Sequence, residues 1–64
     1  MEIGTKIKAL REQRGMTVAE LAKELGVSQS TLKEWEANRR EPRIRFLIKI
    51  VKLYGVKLSY LLGV

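Results

Sequence analysis

The chain has 64 residues and a net charge of +6, and it contains no Cys, His or Asp. A domain of that length buries only about 60% of the surface its unfolded chain exposes, so residues 1–64 read as one domain whose core must form without disulfides or zinc. The missing side chains are the usual general bases, thiol nucleophile and metal ligands, so an enzyme is not expected, nor a metal, nor a cofactor.

The basic excess is one-sided. Residues 1–37 hold six Lys/Arg and six Glu, whereas residues 38–64 hold seven Lys/Arg against Glu41 alone. Such a region attracts polyanions and is the first electrostatic sign of a nucleic-acid partner, although an acidic protein or an anionic membrane would feel the same field. With no signal-peptide pattern and no apolar run long enough to span a bilayer, the sequence reads as that of a soluble, cytoplasmic protein.

Ile3, Ile7 and Leu10 share one helical face, and Gly15 supplies a residue for the helix C-terminus, so a first helix is expected over roughly 2–14. TVAE, residues 17–20, is a capping box, with Met16 and Leu21 at the two positions of a hydrophobic staple, and it opens a second helix that continues through Leu21, Ala22 and Leu25 to Gly26. Ser28 caps a third helix, 29–37, with Val27 able to staple to Leu32. Leu32 and Trp35 form its apolar face, Gln29, Ser30, Lys33 and Glu34 its polar face, and Asn38 tolerates the left-handed geometry at its end. Two short capped helices joined by a Gly-containing turn cross at a large angle as a helix-turn-helix. Beyond Pro42 a fourth helix is expected over 44–54, with Leu47, Ile50, Val51 and Tyr54 inward, and LSYLL forms a last short turn. A basic amphipathic membrane helix is the weaker reading of 46–62, because Gly55 interrupts it and the first three helices need an apolar partner. Leu58, Tyr60 and Leu61 cannot easily all point inward from so short a helix, which makes them candidates for a dimer surface.

The run IKALREQRGMTVAELAKELGVSQSTLKEWEANRREP, continued by FLIKIVKLYGVKLSYLL, resembles the lambda-repressor-like helix-turn-helix domains (Cro/C1-type, XRE family) of phage repressors and of bacterial and archaeal regulators. The matching features are Leu21 with Ala22, the LGVS turn at 25–28, Trp35 with Glu36, Pro42, and the closing LYGV and LL. The resemblance implies an all-α bundle of about five helices whose third enters the major groove of double-stranded DNA. By position, Gln29, Ser30, Lys33 and Glu34 would then face base edges, Ser28 would approach a phosphate, and the loop carrying Arg39, Arg40, Arg43 and Arg45 would follow the backbone. It also implies a partly buried salt bridge between Arg11 and Glu36, the pair that occupies the family's matching positions.

Several of these positions carry their own chemical reason. A Gln amide binds adenine in a bidentate manner, Lys33 can reach a guanine or a phosphate, and a carboxylate at Glu34 can accept from cytosine N4 or simply temper phosphate attraction. Arg39 and Arg40 follow a helix C-terminus, whose dipole favours cations. Arg43 and Arg45 flank a helix start, the wrong end of the dipole for a cation unless an anion fills the site or one Arg enters a narrow minor groove. Glu41 reads as a loop charge. Three departures from the family stand out: Val18 replaces a phosphate-binding Gln, Asn38 replaces a common Gly, and Lys57 replaces a capping residue, which is expected to fray the last helix. The reading is a sequence-specific transcriptional repressor or regulator that binds a pseudo-palindromic operator as a homodimer. The rival is a protein-interaction module, an antitoxin or adaptor use of the same fold.

Overall fold

The backbone of residues 2–64, described by a computed structural model, forms five α-helices: α1 (Ile3–Gln13), α2 (Val18–Leu25), α3 (Gln29–Glu36), α4 (Ile44–Tyr54) and α5 (Leu58–Leu62). The first helix is a residue shorter at each end than its apolar pattern predicts, and Ala37 caps α3 from outside. α2 begins in the predicted capping box, with the Glu20 amide donating to Thr17 Oγ1 at 3.1 Å and the Thr17 amide donating to Glu20 Oε1 at 2.8 Å. At the start of α3 the Thr31 amide donates to Ser28 Oγ at 3.0 Å.

All five helices stop by the same device. A left-handed residue, Gly15, Gly26, Asn38, Gly55 or Gly63, follows the helix. The amide of the next residue then turns back to the carbonyl five positions earlier: Met16 to Arg11, Val27 to Ala22, Arg39 to Glu34, Val56 to Val51 and Val64 to Ser59. This is the Schellman arrangement, which satisfies carbonyls that the helix leaves unpaired.

Asn38 does more than tolerate its φ of 60°. α1 has no side-chain cap of its own. The Asn38 carboxamide supplies one from 34 residues away, accepting from the Gly4 amide at 3.0 Å and donating to Thr5 Oγ1 at 3.0 Å. A glycine at 38 would allow the turn and leave that amide without its partner. Gly4 is fixed by space instead: a Cβ there would lie 1.7 Å from the Trp35 carbonyl oxygen, so only a residue without one lets α1 and α3 approach this closely.

The core comprises Ile3, Ile7 and Leu10 of α1, Leu21, Ala22 and Leu25 of α2, Leu32 and Trp35 of α3, Leu47, Ile50 and Tyr54 of α4, and Leu61 of α5. Val51, expected inward, is half-buried against this cluster. Leu61 corrects its reading as a candidate for a dimer surface: it is wholly buried. Five helical residues give too little periodicity to choose a face, and packing against α1 and α4 chose it. Leu58 is half-buried, and Tyr60 remains 45% exposed.

Arg11 is the only buried charged residue among those described, at 9% exposure. Its Nε donates to Glu36 Oε2 at 2.7 Å, its Nη2 to Glu36 Oε1 at 3.1 Å, and its Nη1 to the Met16 carbonyl at 2.8 Å. The bond to Glu36 raises the Arg11 pKa against the opposing effect of burial, so the guanidinium keeps its charge. The bidentate bridge and the Gly4 contact lie seven residues apart, roughly 10 Å along α1, and fasten it to α3 at two points.

Three further cations close helix ends from a distance. Arg14 donates to the Tyr54 carbonyl at 2.7 Å, Lys6 to the Tyr60 carbonyl at 2.8 Å and Lys49 to the Leu25 carbonyl at 3.4 Å. Lys57 gives α5 no side-chain cap, as expected, but Lys6 ties that helix to α1 and also lies over the Tyr60 ring.

Two stability measurements test these fastenings. Glu36→Ala should lower unfolding free energy by about 3 kcal/mol in urea titration, since it strands a buried guanidinium, and adding Arg11→Met should recover a large part. Gly4→Ala should cost about 3 kcal/mol through the overlap with Trp35. A change within about 0.5 kcal/mol, the level of an ordinary surface substitution, would contradict either contact.

Candidate nucleic-acid interface

With Leu32 and Trp35 turned into the core, α3 presents Gln29, Ser30 and Lys33 as exposed residues on its outward side. The Arg11–Glu36 bridge and the Gly4 contact hold the inner side, so the outward side has a fixed orientation. The Ser28 hydroxyl, expected near a phosphate, is already engaged: besides capping α3 it donates to Thr31 Oγ1 at 2.9 Å. An anion there would meet backbone amides of the helix start more readily than this hydroxyl.

Glu34 and Arg39, assigned separately from the sequence, form one unit. Arg39 Nε donates to Glu34 Oε2 at 2.9 Å, and its Nη2 lies 2.7 Å from the same oxygen. The bond lowers the Glu34 pKa and raises that of Arg39. The sequence held a signal for this pairing, because a left-handed Asn38 sets residues 34 and 39 side by side in a Schellman turn.

The loop after α3 ends at Arg43, and Arg45, expected in it, lies in the first turn of α4; the segment 39–45 is held at both ends. Its first amides, Arg39 and Arg40, turn back to the Glu34 carbonyl. Pro42 is buried, and beyond it the Phe46 ring packs on Trp35 with centroids 5.3 Å apart. Arg45 lies over the Phe46 ring, 4.9 Å from its centroid. Arg43 occupies the N-cap position of α4, makes no side-chain cap, and is followed by a first turn without an acid. Among the described residues, Lys33, Arg40, Arg43 and Arg45 make no ion pair, whereas Lys6, Arg11, Arg14 and Lys49 are committed to internal acceptors. Lys33, Arg40, Arg43 and Arg45 lie on α3, in the loop after it and at the start of α4, while Lys8, Lys23, Lys52 and Lys57, which also make no ion pair, are spread over the other elements. No group of described residues could hold a metal ion, and no described helix is long and apolar enough to cross a membrane.

Comparison with known proteins identifies the family and the fold. Residues 7–61 match the helix-turn-helix family, and the chain belongs to it. It is 35% identical over 63 residues to the HTH-type transcriptional regulator ImmR of Bacillus subtilis, covering 98% of this chain and 50% of ImmR. The crystal structure of SinR, the master regulator for biofilm formation, in complex with DNA superposes with a TM-score of 0.83 at 38% identity, covering 94% of this chain and 97% of that one. The P22 c2 repressor bound to a synthetic operator superposes with a TM-score of 0.84 at 30% identity, covering 92% and 89%. The chain spans about half the length of the curated relatives it matches.

The uncapped start of α4 gives a direct test of whether Arg43 is kept for folding. Arg43 already has the extended geometry of an N-cap, with φ −70° and ψ 155°, so a hydroxyl there can accept from a first-turn amide. Arg43→Ser should therefore raise stability by about 1 kcal/mol in thermal or urea unfolding. A loss of stability would mean that Arg43 is a structural residue.

Proposed function

We propose that the chain is the sequence-specific double-stranded DNA-binding module of a transcriptional regulator, most simply a repressor. The observation that carries this reading is the continuity of the exposed polar side of α3 with cations that have no acidic partner in the fold. Gln29, Ser30 and Lys33 are the residues for base edges in the major groove, with Gln29 suited to adenine and Lys33 to guanine or a phosphate. Arg40, Arg43 and Arg45 serve the sugar-phosphate backbone or the minor groove beside it, at the start of α4 where amides also favour an anion. Such a role places the protein in the cytoplasm with the DNA. The arginine cluster speaks against the protein-interaction use of this fold.

A two-fold dimer on a pseudo-palindrome completes the reading, with half-sites about one helical turn, ~34 Å, apart. Tyr60 and half-buried Leu58 remain as apolar contacts for it, and Ile44 and Ile48, 56% and 40% exposed one turn apart on α4, add to the available apolar surface.

Selection from a random duplex pool followed by a salt titration tests the reading. A defined motif should emerge, and with about six phosphates neutralised, log affinity should fall against log salt with a slope of roughly −5. Arg43→Ser should weaken binding and make the slope shallower by about one. A flat salt response, or a pool that yields no motif, would sink the proposal. Footprinting that protects one asymmetric half-site at every concentration would sink the dimer alone.

A further inference from the structure

At four of the five helix ends the residue after the left-handed one is apolar: Met16, Val27, Val56 and Val64. At the end of α3 it is Arg39, and its neighbour across the turn is Glu34. The motif usually brings an apolar pair together at these two positions. Here it brings an ion pair, and at the C-terminal edge of the surface proposed to face DNA.

The pair has little to offer the fold. Its side chains are 65% and 37% exposed, and exposed bridges contribute little stability. Nor does it serve general attraction to DNA, because the carboxylate cancels the charge that a phosphate would meet. What it fixes is direction. Glu34 Oε2 occupies the Nε and Nη2 side of the guanidinium, leaving the Nη1 and Nη2 end as a planar fork whose orientation is set. A phosphate accepts a mobile cation, whereas guanine O6 and N7 require an oriented fork. Because the Arg39 amide is also bound to the Glu34 carbonyl, backbone and side chain are both anchored to the same residue.

We infer that Arg39 reads a guanine through this fork and that Glu34 is the positioning residue that aims it, rather than itself accepting from a cytosine. The inference rests on the DNA-binding reading above and adds a base-specifying residue outside α3. The bond from Arg39 holds the Glu34 carboxyl below the usual carboxylate range, so it is charged near neutrality.

Duplexes selected from a random pool by the wild-type chain provide the test, with affinities measured at one salt concentration on the selected duplex and on each of its single base-pair replacements. The proteins compared are wild type, Arg39→Ala, Arg39→Lys, Glu34→Gln and the double variant Glu34→Gln/Arg39→Ala. All should melt within a few degrees of wild type, as an exposed pair requires. Wild type should prefer one G·C pair by roughly tenfold or more over its replacements. Arg39→Ala, Arg39→Lys and Glu34→Gln should each lose most of that preference at the same pair, and the double variant should be no worse than Arg39→Ala. Arg39→Lys, which keeps the charge and loses the fork, should keep the salt slope.

Uniform weakening by Arg39→Ala across all duplexes would make Arg39 a phosphate contact and overturn the inference. So would a Glu34→Gln change at a pair that Arg39→Ala leaves untouched, or wild-type preferences retained by every variant. If wild type selects no sequence at all, the DNA-binding reading itself fails and takes the inference with it, a result distinct from the other three.

Discussion

A guanidinium with all three of its nitrogens matched to acceptors fastens this molecule together. Arg11 and Glu36 are almost fully removed from water, a state that is tolerable only when the charges face each other and their remaining hydrogen-bonding groups are also met. The Met16 carbonyl meets the third Arg11 nitrogen, so the bridge ties α1, the α1–α2 turn and the end of α3 into one geometry. Because that geometry uses up the inner side of α3, the side carrying Gln29, Ser30 and Lys33 has one available orientation. Stability and presentation of the outward face thus depend on the same few atoms.

The second constraint is size. Five short helices in a small chain create many helix ends per residue, each with backbone groups that need partners. Repeated left-handed turns meet most of them, and long-range donors meet others: Asn38 at the start of α1, and Arg14, Lys6 and Lys49 at the ends of α4, α5 and α2. Against that economy, the starts of α4 and α5 offer Arg43 and Lys57 where a hydroxyl would serve the helix better. At α4 the departure stands next to Arg40 and Arg45, which also make no ion pair, the kind of place where a fold can yield local stability to a ligand.

Much of the architecture was legible in residue order, because cap and stop residues act over three to five positions. Thr17 with Glu20, Ser28 and Gly55 placed helix boundaries to within a residue or two, and apolar spacing found nearly all the core. What escaped is non-local or ambiguous in period. Nothing near Gly4 in the chain signals the Trp35 carbonyl against it, and the acceptors of Lys6, Arg14 and Lys49 lie 54, 40 and 24 residues away. Leu61 went to the wrong side because so short a helix has almost no pattern. At the interface, the exposure of Gln29, Ser30 and Lys33 followed from helical spacing, while the Glu34–Arg39 unit required following the consequences of a left-handed Asn38 into the next residue. The Arg11–Glu36 pair came from family resemblance alone, since 25 residues of separation hide it from any local reading.

The central claim is that one rigid side of the molecule, the outward face of α3 with the segment 39–45, meets the double helix while the buried bridge behind it stays intact. Titrating a 15N-labelled chain with a selected duplex and following amide and arginine Nε resonances tests this most directly. Shifts should concentrate in 29–34 and 39–45, with the Arg11 Nε signal in place and still protected from exchange. Shifts confined to α5 or to the exposed side of α4, with α3 silent, would contradict the account, as would loss of the Arg11 signal on binding.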